Sequence, residues 1–333
     1  MNPALDSQRI DAPVQLAAEW ALPYEFLISF GCFVFASLHP ILEIGQSWVR
    51  QVRHALPAPY LEQITQKPFI SALKEVDHDL LMVLVRACPD AAGQDAPGFL
   101  DWLANLSPGE AYEALAPRLP ESGPQLPRDF VAWRERLVEV LRVWDSSYFQ
   151  QLDPAILNGL RAESLALVRR LGSAPALDLI EQVTNGLCIE PTPAVQTITL
   201  VPQHHERPYN HDFLEQGNLV ILYPADVLPP DPQLPPPRLL RLTRALGDDS
   251  RLRILRFLSG GSRSLTEVAR FARLSQPTVH HHLAQLRAAG LVQVQFAAGL
   301  PTPNRYCLRP HALEQLAQQL GTYLVEHNTD DDP

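Results

Sequence analysis

Polar side chains recur at helical spacing in one short stretch of the chain, at Thr278, His281 and Gln285. Residues three and four positions apart lie on the same face of an α-helix. Hydroxyl, imidazole and amide groups can bind the edges of bases and the phosphate oxygens of double-stranded DNA. The chemistry that this face predicts is recognition of a DNA groove rather than a bond-breaking reaction.

The helix that would carry this face is predicted between Ser275 and Gly290. Ser275 is a typical N-cap, Pro277 suits the first turn, and Gly290 can adopt the left-handed conformation that ends helices. Apolar residues at i, i+4 and i+7 form a second stripe, which we expect to face a core: Val279, Leu283 and Leu286. His282 borders that stripe, so it lies either at the edge of the core or on the DNA side.

Two shorter helices are predicted before this one. Residues 251–258 alternate arginine with apolar residues, and the glycines at 260 and 261 end that helix. Its residues predicted to be buried are Leu252, Leu255 and Leu258. A helix over 265–271 follows, and residues 272–274 form the turn that leads to the predicted recognition helix.

A two-stranded wing and a last helix are predicted after it. Residues 291–296 alternate apolar and polar side chains as a strand does, residues 297–303 form a turn-rich tip, and residues 305–308 return. Pro310 then begins an amphipathic helix, whose apolar stripe suits a partner helix: Leu313, Leu316, Leu320 and Leu324. Together these elements predict a winged helix-turn-helix domain.

Two sequence blocks support this prediction by resemblance. The first runs Ala245-Leu246-Gly247-Asp248-Asp249-Ser250-Arg251-Leu252-Arg253-Ile254-Leu255. The second is Ser-Gln-Pro-Thr-Val-His-His-His-Leu at 275–283, followed by Ala-Gly-Leu-Val at 289–292. This region of about 90 residues resembles the ArsR/SmtB family of dimeric bacterial transcriptional regulators. The resemblance implies dimerisation through the first and last helices of the domain, and repression of a promoter that an effector relieves.

The predicted DNA-binding surface combines the recognition helix with the wing. On the helix it comprises Ser275, Gln276, Thr278, His281, His282, Gln285 and Arg287. On the wing it comprises Asn304 and Arg305, which with Arg287 would contact phosphates or the minor groove. The alternative is that the winged helix docks another protein, which would make the chain an interaction adaptor.

The charge is divided along the chain in a way that favours nucleic acid as a partner of one part only. The net charge of the 333 residues is −10. Residues 238–328 hold twelve arginines and five acidic residues, a balance of +7, whereas residues 1–237 have a balance of −14 and the tail at 330–332 adds −3. A basic domain joined to an acidic one is typical of proteins in which only the basic domain meets phosphates.

Two domains are predicted from the chain length and its proline-rich punctuation. Residues 228–237 are interpreted as a semi-rigid linker, so residues 1–227 form one domain and residues 238–328 the DNA-binding domain. The first domain is predicted to be mostly helical, with its longest helix over 129–151. The fold class is therefore mainly α with small β elements.

The end of the N-terminal domain changes its pattern from helical to extended. A helix is predicted over 175–187, and strands over 195–201 and 218–223. The segment 202–212 between the strands is predicted as a polar loop.

Metal binding has weaker support than DNA binding. Adjacent helical side chains point about 100° apart, so the histidines at 280–282 cannot all ligate one ion within one subunit. The helix over 265–271 lacks the paired cysteines of the family's thiolate site, and the four cysteines of the chain form no close pair. A polar cluster has donors suited to zinc, although a polar loop supplies such residues without a metal: His204, His205, His211 and Asp212.

Catalysis has little support from motifs, and an enzyme in the N-terminal domain, with DNA binding as autoregulation, stays open as a second alternative. There is no glycine-rich phosphate loop, nucleophile elbow or HExxH motif in the sequence, so neither an enzyme nor a cofactor is predicted. There is no run of about 18 apolar residues to span a membrane. The sequence therefore predicts a cytoplasmic, homodimeric DNA-binding repressor, with an N-terminal domain that senses an unknown small-molecule effector, binds a partner or extends the dimer.

Overall fold

Short helices dominate the chain, and two small sheets interrupt them. The computed structural model describes residues 14–75, 78–118, 126–190, 192–229, 234–297, 303–309 and 312–326. The helices are α1 Leu22–Val34, α2 Gly45–Ala55, α3 Ala58–Thr65, α4 Lys67–Glu75, α5 His78–Ala87, α6 Ala96–Asn105, α7 Pro108–Leu115, α8 Phe130–Ser147, α9 Pro154–Arg170, α10 Ala176–Val183, α11 Pro237–Leu246, α12 Asp249–Leu258, α13 Leu265–Ala272, α14 Gln276–Ala288 and α15 Ala312–Glu326. The strands are β1 Gln15–Ala18, β2 Leu187–Ile189, β3 Thr197–Gln203, β4 His211–Glu215, β5 Asn218–Pro224, β6 Arg263–Ser264, β7 Val292–Phe296 and β8 Arg305–Leu308.

The chain divides into two units, each formed by segments that are distant in sequence. The larger unit comprises residues 17–170 and 199–228. The other, here called the winged unit, comprises residues 1–16, 171–198 and 229–333. The sequence assigned 171–198 to the N-terminal domain, whereas in the structure this segment belongs to the winged unit. Part of the predicted linker, residues 230–233, lies outside the described residues.

Helix α1 lies in the core of the larger unit because it is apolar on nearly all sides, and every residue from Pro23 to Val34 is buried. The fully buried Trp144 of α8 donates from Nε1 to Ser29 Oγ on α1 at 3.0 Å, so the indole nitrogen keeps a partner inside the core. In the described part of the chain, no helix is both long and apolar enough to cross a membrane.

The sheet of the larger unit has the strand order β1-β3-β5-β4. Strands β4 and β5 form a hairpin in which His211 pairs with Leu222 and Glu215 with Asn218. Its two-residue turn, Gln216-Gly217, has positive φ at both positions, as tight hairpins require. The sequence prediction placed His211 and Asp212 in a loop and missed β4, because its polar residues mask an alternation that is visible only at the buried Phe213 and Glu215.

The helix-turn-helix of the winged unit consists of α12, α13 and α14. The prediction that Leu252 is buried is wrong, since its side chain is 47% exposed. The inward stripe at i, i+3, i+4 and i+7 is Arg251, Ile254, Leu255 and Leu258. This places an arginine on the inward side of α12, one position from the leucine that the sequence suggested.

The sheet of the winged unit has the order β2-β7-β8-β6. The predicted wing strands are confirmed, with Val292 opposite Leu308 and Gln295 opposite Arg305. Residues 298–302 of the predicted wing tip lie outside the described residues. Strand β2 pairs in parallel with β7, and its first residue, Leu187, was predicted as the end of a helix over 175–187. That helix stops at Val183, because Asn185 and Gly186 take φ values of 58° and 112° that no helix continues.

Candidate nucleic-acid interface

Helix α14 is fixed at both ends and along one side, as the sequence predicted. The Ser275 hydroxyl accepts the backbone N–H of Thr278, which caps the first turn. Its apolar stripe is 1% exposed or less, and consists of Val279, Leu283 and Leu286. Gly290, at φ 73°, takes the left-handed conformation predicted for the end of the helix.

The N-terminal half of α14 presents polar groups to solvent. Gln276, Thr278 and His280 are exposed there, with Pro277 between them. The Thr278 hydroxyl lies 2.7 Å from Ser275 Oγ, and Gln276 Nε2 donates to Thr266 Oγ1 on α13 at 3.3 Å. These contacts hold the side chains of the first turn near the turn that joins α13 to α14.

The next turn of α14 carries a hydrogen-bonded chain that begins on α12. The Arg251 guanidinium donates to Gln285 Oε1 at 2.6 Å, and also to the carbonyls of Ala245 at 2.7 Å and Arg244 at 2.8 Å. The Gln285 amide nitrogen then lies 2.9 Å from His281 Nε2. Because an amide nitrogen only donates, His281 must accept at Nε2 and carry its proton on Nδ1.

The neutral state of His281 is consistent with its surroundings. Burial lowers the pKa of His281, and the nearby His282, Arg251 and His280 lower it further. At neutral pH the ring therefore offers a donor at Nδ1 rather than a positive charge. Arg251, which orients this turn, was not among the predicted site residues. The signal that could have revealed it is its place on the inward stripe of α12.

The structure places two other predicted residues away from this exposed turn. His282 is partly buried, and its Nδ1 atom makes no hydrogen bond within the described residues. The Arg287 guanidinium donates to the carbonyl of Thr184 at 3.3 Å. Since α14 rises about 1.5 Å per residue, Arg287 lies roughly 16 Å along the helix from Gln276. Its proposed phosphate contact would therefore be at the far end of the helix.

The predicted wing residues are on the surface. Asn304 and Arg305 are both exposed. The Arg305 guanidinium donates to the Ser262 carbonyl at 2.8 Å and lies 4.0 Å from Glu267. These contacts hold the Arg305 guanidinium beside Ser262 and Glu267. DNA contact by Asn304 or Arg305 stays a prediction.

Residues from the segment 171–198 anchor the C-terminal end of α14. Asn185 donates from Nδ2 to the carbonyls of Ala288 at 2.7 Å and Arg287 at 3.3 Å. Helix ends leave such carbonyls without intrahelical partners, so Asn185 acts as a C-terminal cap from a distant part of the chain. The fit is close, because a Cβ at Gly290 would lie 2.8 Å from Asn185 Oδ1.

A buried arginine completes this anchor. Arg309 is 8% exposed, and its guanidinium contacts Glu181 through Nε at 2.6 Å and Nη2 at 3.1 Å. The third nitrogen, Nη1, donates to Asn185 Oδ1 at 2.8 Å. The Arg309 guanidinium thus connects α10 and the Asn185 cap to the C-terminal end of β8.

The histidines that suggested zinc lie in the larger unit and have separate partners. His205 Nδ1 forms a hydrogen bond with the carboxylate of the fully buried Glu25, which also accepts the backbone N–H groups of His204 at 2.9 Å and His205 at 3.0 Å. His211 lies 3.6 Å from Asp79 and 4.0 Å from Glu206. Within the described residues, no group of three or more His, Cys, Asp or Glu residues is arranged to hold a metal ion.

The pKa shifts of two of these histidines, His204 and His211, predict that the stability of the larger unit has an optimum pH. Burial, with Arg207 and His205, lowers the pKa of His204 to about 3, so stability is lost as pH falls below about 6.5 toward 3. Burial opposes protonation of His211, but Asp79 and Glu206 raise its pKa to about 9, so stability is lost as pH rises from about 6.5 through 9.

We therefore expect the melting temperature of the larger unit to be highest near pH 6.5. All five tryptophans of the chain lie in this unit, so their fluorescence reports its melting alone. His211→Gln should flatten the alkaline limb of the profile and leave the acid limb in place. A melting temperature that stays constant between pH 5 and 9 in the unaltered protein would contradict the assignment.

A capped, exposed helix held on α12 and α13 and followed by a two-stranded wing defines a winged helix-turn-helix domain, the class of fold found in many DNA-binding regulators. A family model described as a helix-turn-helix domain matches residues 246–295. The chain thus carries a winged helix-turn-helix domain in its C-terminal third.

Solved structures with similarity to this chain include three bacterial proteins. The homodimeric winged helix-turn-helix DNA-binding domain of a possible ArsR-family transcriptional regulator from Mycobacterium bovis is 26% identical, covering 28% of this chain and 88% of that one, with a TM-score of 0.22. HlyU from Vibrio cholerae is 29% identical, covering 26% and 91%, with a TM-score of 0.21. NolR from Sinorhizobium fredii is 24% identical, covering 26% and 84%, with a TM-score of 0.21. No curated protein sequence matches the chain significantly.

Proposed function

We propose that this protein is a sequence-specific transcriptional regulator that acts as a homodimeric repressor, controlled by a ligand or partner of its larger unit. The observation that carries the proposal is the exposed N-terminal face of α14. Gln276 and Thr278 present side-chain donors and acceptors there, on a helix whose other sides are packed and capped. In winged helix-turn-helix proteins this part of the recognition helix enters the major groove.

The charge of residues 238–328 supports DNA as the partner. Residues 238–328 carry a balance of +7, and several arginines on α12, α13 and the following turn are exposed. These exposed arginines are Arg253, Arg256, Arg270 and Arg273. Phosphate contacts from such side chains give affinity and register, whereas the α14 face would give sequence preference.

The last helix supports the dimer. Helix α15 leaves apolar side chains on the surface, with Leu313 59%, Leu324 58% and Val325 67% exposed. A second copy of the same helix would cover this stripe with its own. Two recognition helices related by a two-fold axis would then read half-sites about 34 Å apart.

Thr278→Ala is expected to reduce discrimination between the binding site and unrelated DNA by about 1 to 3 kcal/mol, with a smaller effect on non-specific affinity. The reason is that the hydroxyl lies on the exposed first turn, where a contact to a base edge would be lost. Thr65→Ala is the matched control, since this exposed threonine lies in the larger unit and, within the described residues, donates to the carbonyls of its own helix.

The measurement is a competition titration of the full-length protein between a fragment of its own upstream DNA and unrelated DNA. Unchanged discrimination in the Thr278→Ala protein would remove α14 as the reading helix. Failure of the unaltered protein to prefer any DNA would favour the adaptor, in which the winged helix docks another protein.

A further inference from the structure

The larger unit contains a cavity of about 270 Å³ beside helix α1. Most of its wall is apolar, and is formed by Ile28, Phe35, Leu38 and Met82. Ile28, Phe35 and Met82 are each at most 9% exposed, so these side chains belong to the core rather than to the surface. A dry apolar cavity of about 150 Å³ is enough to hold benzene, so this volume suits a single aromatic ring with a short substituent.

One end of the cavity is polar, and is formed by Glu206 and His211. His211 Nδ1 lies 4.0 Å from Glu206 Oε2, and its Nε2 lies 3.6 Å from Asp79 Oδ1. Asp212 follows directly in sequence and also acts on the charge of His211. Of these groups, the cavity wall includes Glu206 and His211.

The charge balance decides which substituent would be accepted. His211 is protonated at neutral pH, because its pKa is raised to about 9 by the carboxylates despite its burial. Burial raises the pKa of Glu206, which His211 partly offsets. A ligand carboxylate would meet Glu206 in the wall and would compete with Asp79 and Glu206 for the ring nitrogens of His211, which disfavours a second anion. An ammonium group would instead complete a charge-assisted hydrogen bond with Glu206.

We propose that this cavity binds a small apolar molecule that carries an amine, with its apolar body against Ile28, Phe35 and Met82 and its amine at Glu206. The role of such a molecule as the effector of the regulator rests on the function proposed above. The binding itself rests only on the geometry and charge of the larger unit.

The chain offers a direct reporter, because Met1 and Met82 are its two methionines and Met82 lines the cavity. The full-length protein, labelled with ¹³C at the methionine methyl groups, is titrated with benzylamine, toluene and phenylacetate. We expect benzylamine to shift the Met82 signal saturably, toluene to shift it with weaker affinity, and phenylacetate to leave it unchanged. The Met1 signal serves as the internal reference.

Two variants place the binding within the cavity. Glu206→Gln should weaken benzylamine about tenfold and leave toluene unaffected, since only the charge-assisted bond is lost. Ile28→Trp should fill the cavity and abolish the shift for both. Glu62→Gln, at an exposed carboxylate of the same unit, is the control and should bind as the unaltered protein does. Tryptophan fluorescence melts verify that each variant is folded, and Glu206→Gln alone decides the result if Ile28→Trp does not fold.

The proposal is overturned if Met82 does not respond to benzylamine, if phenylacetate binds as tightly, or if Glu206→Gln binds benzylamine unchanged. A DNA titration with and without saturating benzylamine separates this result from the proposed function. Binding at Met82 without any change in DNA affinity overturns the effector role. Absence of DNA binding in both titrations overturns the regulator instead.

Discussion

Glu181→Ala is expected to lower the free energy of unfolding of the winged unit by about 3 to 5 kcal/mol. The substitution removes both contacts of Glu181 to Arg309, at 2.6 and 3.1 Å. Among the described residues it leaves Asn185 as the side-chain partner of a guanidinium that is 8% exposed. An uncompensated buried charge accounts for most of the expected loss. The same substitution should loosen the capped end of α14 and weaken DNA binding.

Hydrogen exchange at two backbone amides measures this effect within the winged unit. The amides of Val294 and Glu190 bond across the β2 and β7 pair, to the carbonyls of Gly186 and Phe296, both at 2.8 Å. Their protection should fall in the Glu181→Ala protein. Glu190→Ala removes an exposed carboxylate close by and should change stability by no more than about 0.5 kcal/mol. A loss below about 1 kcal/mol for Glu181→Ala would show that the ion pair does not hold the segment.

Glu25→Ala is expected to destabilise the larger unit by about 3 to 5 kcal/mol. Glu25 is fully buried, and its carboxylate accepts the backbone N–H groups of His204 and His205 as well as the His205 ring. Alanine leaves all three donors buried without an acceptor. His205 also lies beside Trp48, with ring centroids 5.6 Å apart, so the change is at a fluorescent reporter.

Urea unfolding followed by tryptophan fluorescence gives the size of this effect, because all five tryptophans lie in the larger unit. Glu62→Ala, at an exposed carboxylate of the same unit, is the control and should leave the midpoint almost unchanged. A Glu25→Ala midpoint equal to that of the control would mean that Glu25 does not organise the segment at His204 and His205.

Helix α14 could be predicted because its determinants are local. The Ser275 cap, the apolar stripe and the left-handed Gly290 all lie within sixteen residues, and local backbone and packing preferences specify them. The wing strands followed from alternation in the same way. The mainly α fold class is also confirmed, since most described elements of the larger unit are helices.

The contacts that support the helix could not be predicted, because they join residues far apart in sequence. Asn185 caps α14 from 103 positions away, and Arg309 pairs with Glu181 across 128 positions. Strand β2 pairs in parallel with β7, which lies more than 100 residues later in the chain. Sequence periodicity indicates local secondary structure and not pairing between distant segments. The sequence therefore placed residues 171–198 in the N-terminal domain, whereas they pack in the winged unit.

In the candidate DNA surface, too, the residues set by local helix geometry could be predicted and the residue set by contacts between helices could not. Ser275, Gln276 and Thr278 were placed by helix geometry alone, and the structure brings them together on the exposed first turn. Arg251 was missed because an arginine beside leucines suggests a solvated face, whereas its guanidinium satisfies two carbonyls and Gln285. Contact of these residues with DNA stays a prediction.

DNA binding by this protein is tested most directly by measuring the affinity of the full-length protein for its own upstream DNA at a series of salt concentrations. If the winged unit neutralises about six phosphates, the logarithm of the association constant should fall against the logarithm of salt concentration with a slope near −5. The binding should also exceed that to unrelated DNA at each salt concentration. Absence of binding, or an affinity that does not change with salt concentration, would contradict the proposed DNA binding.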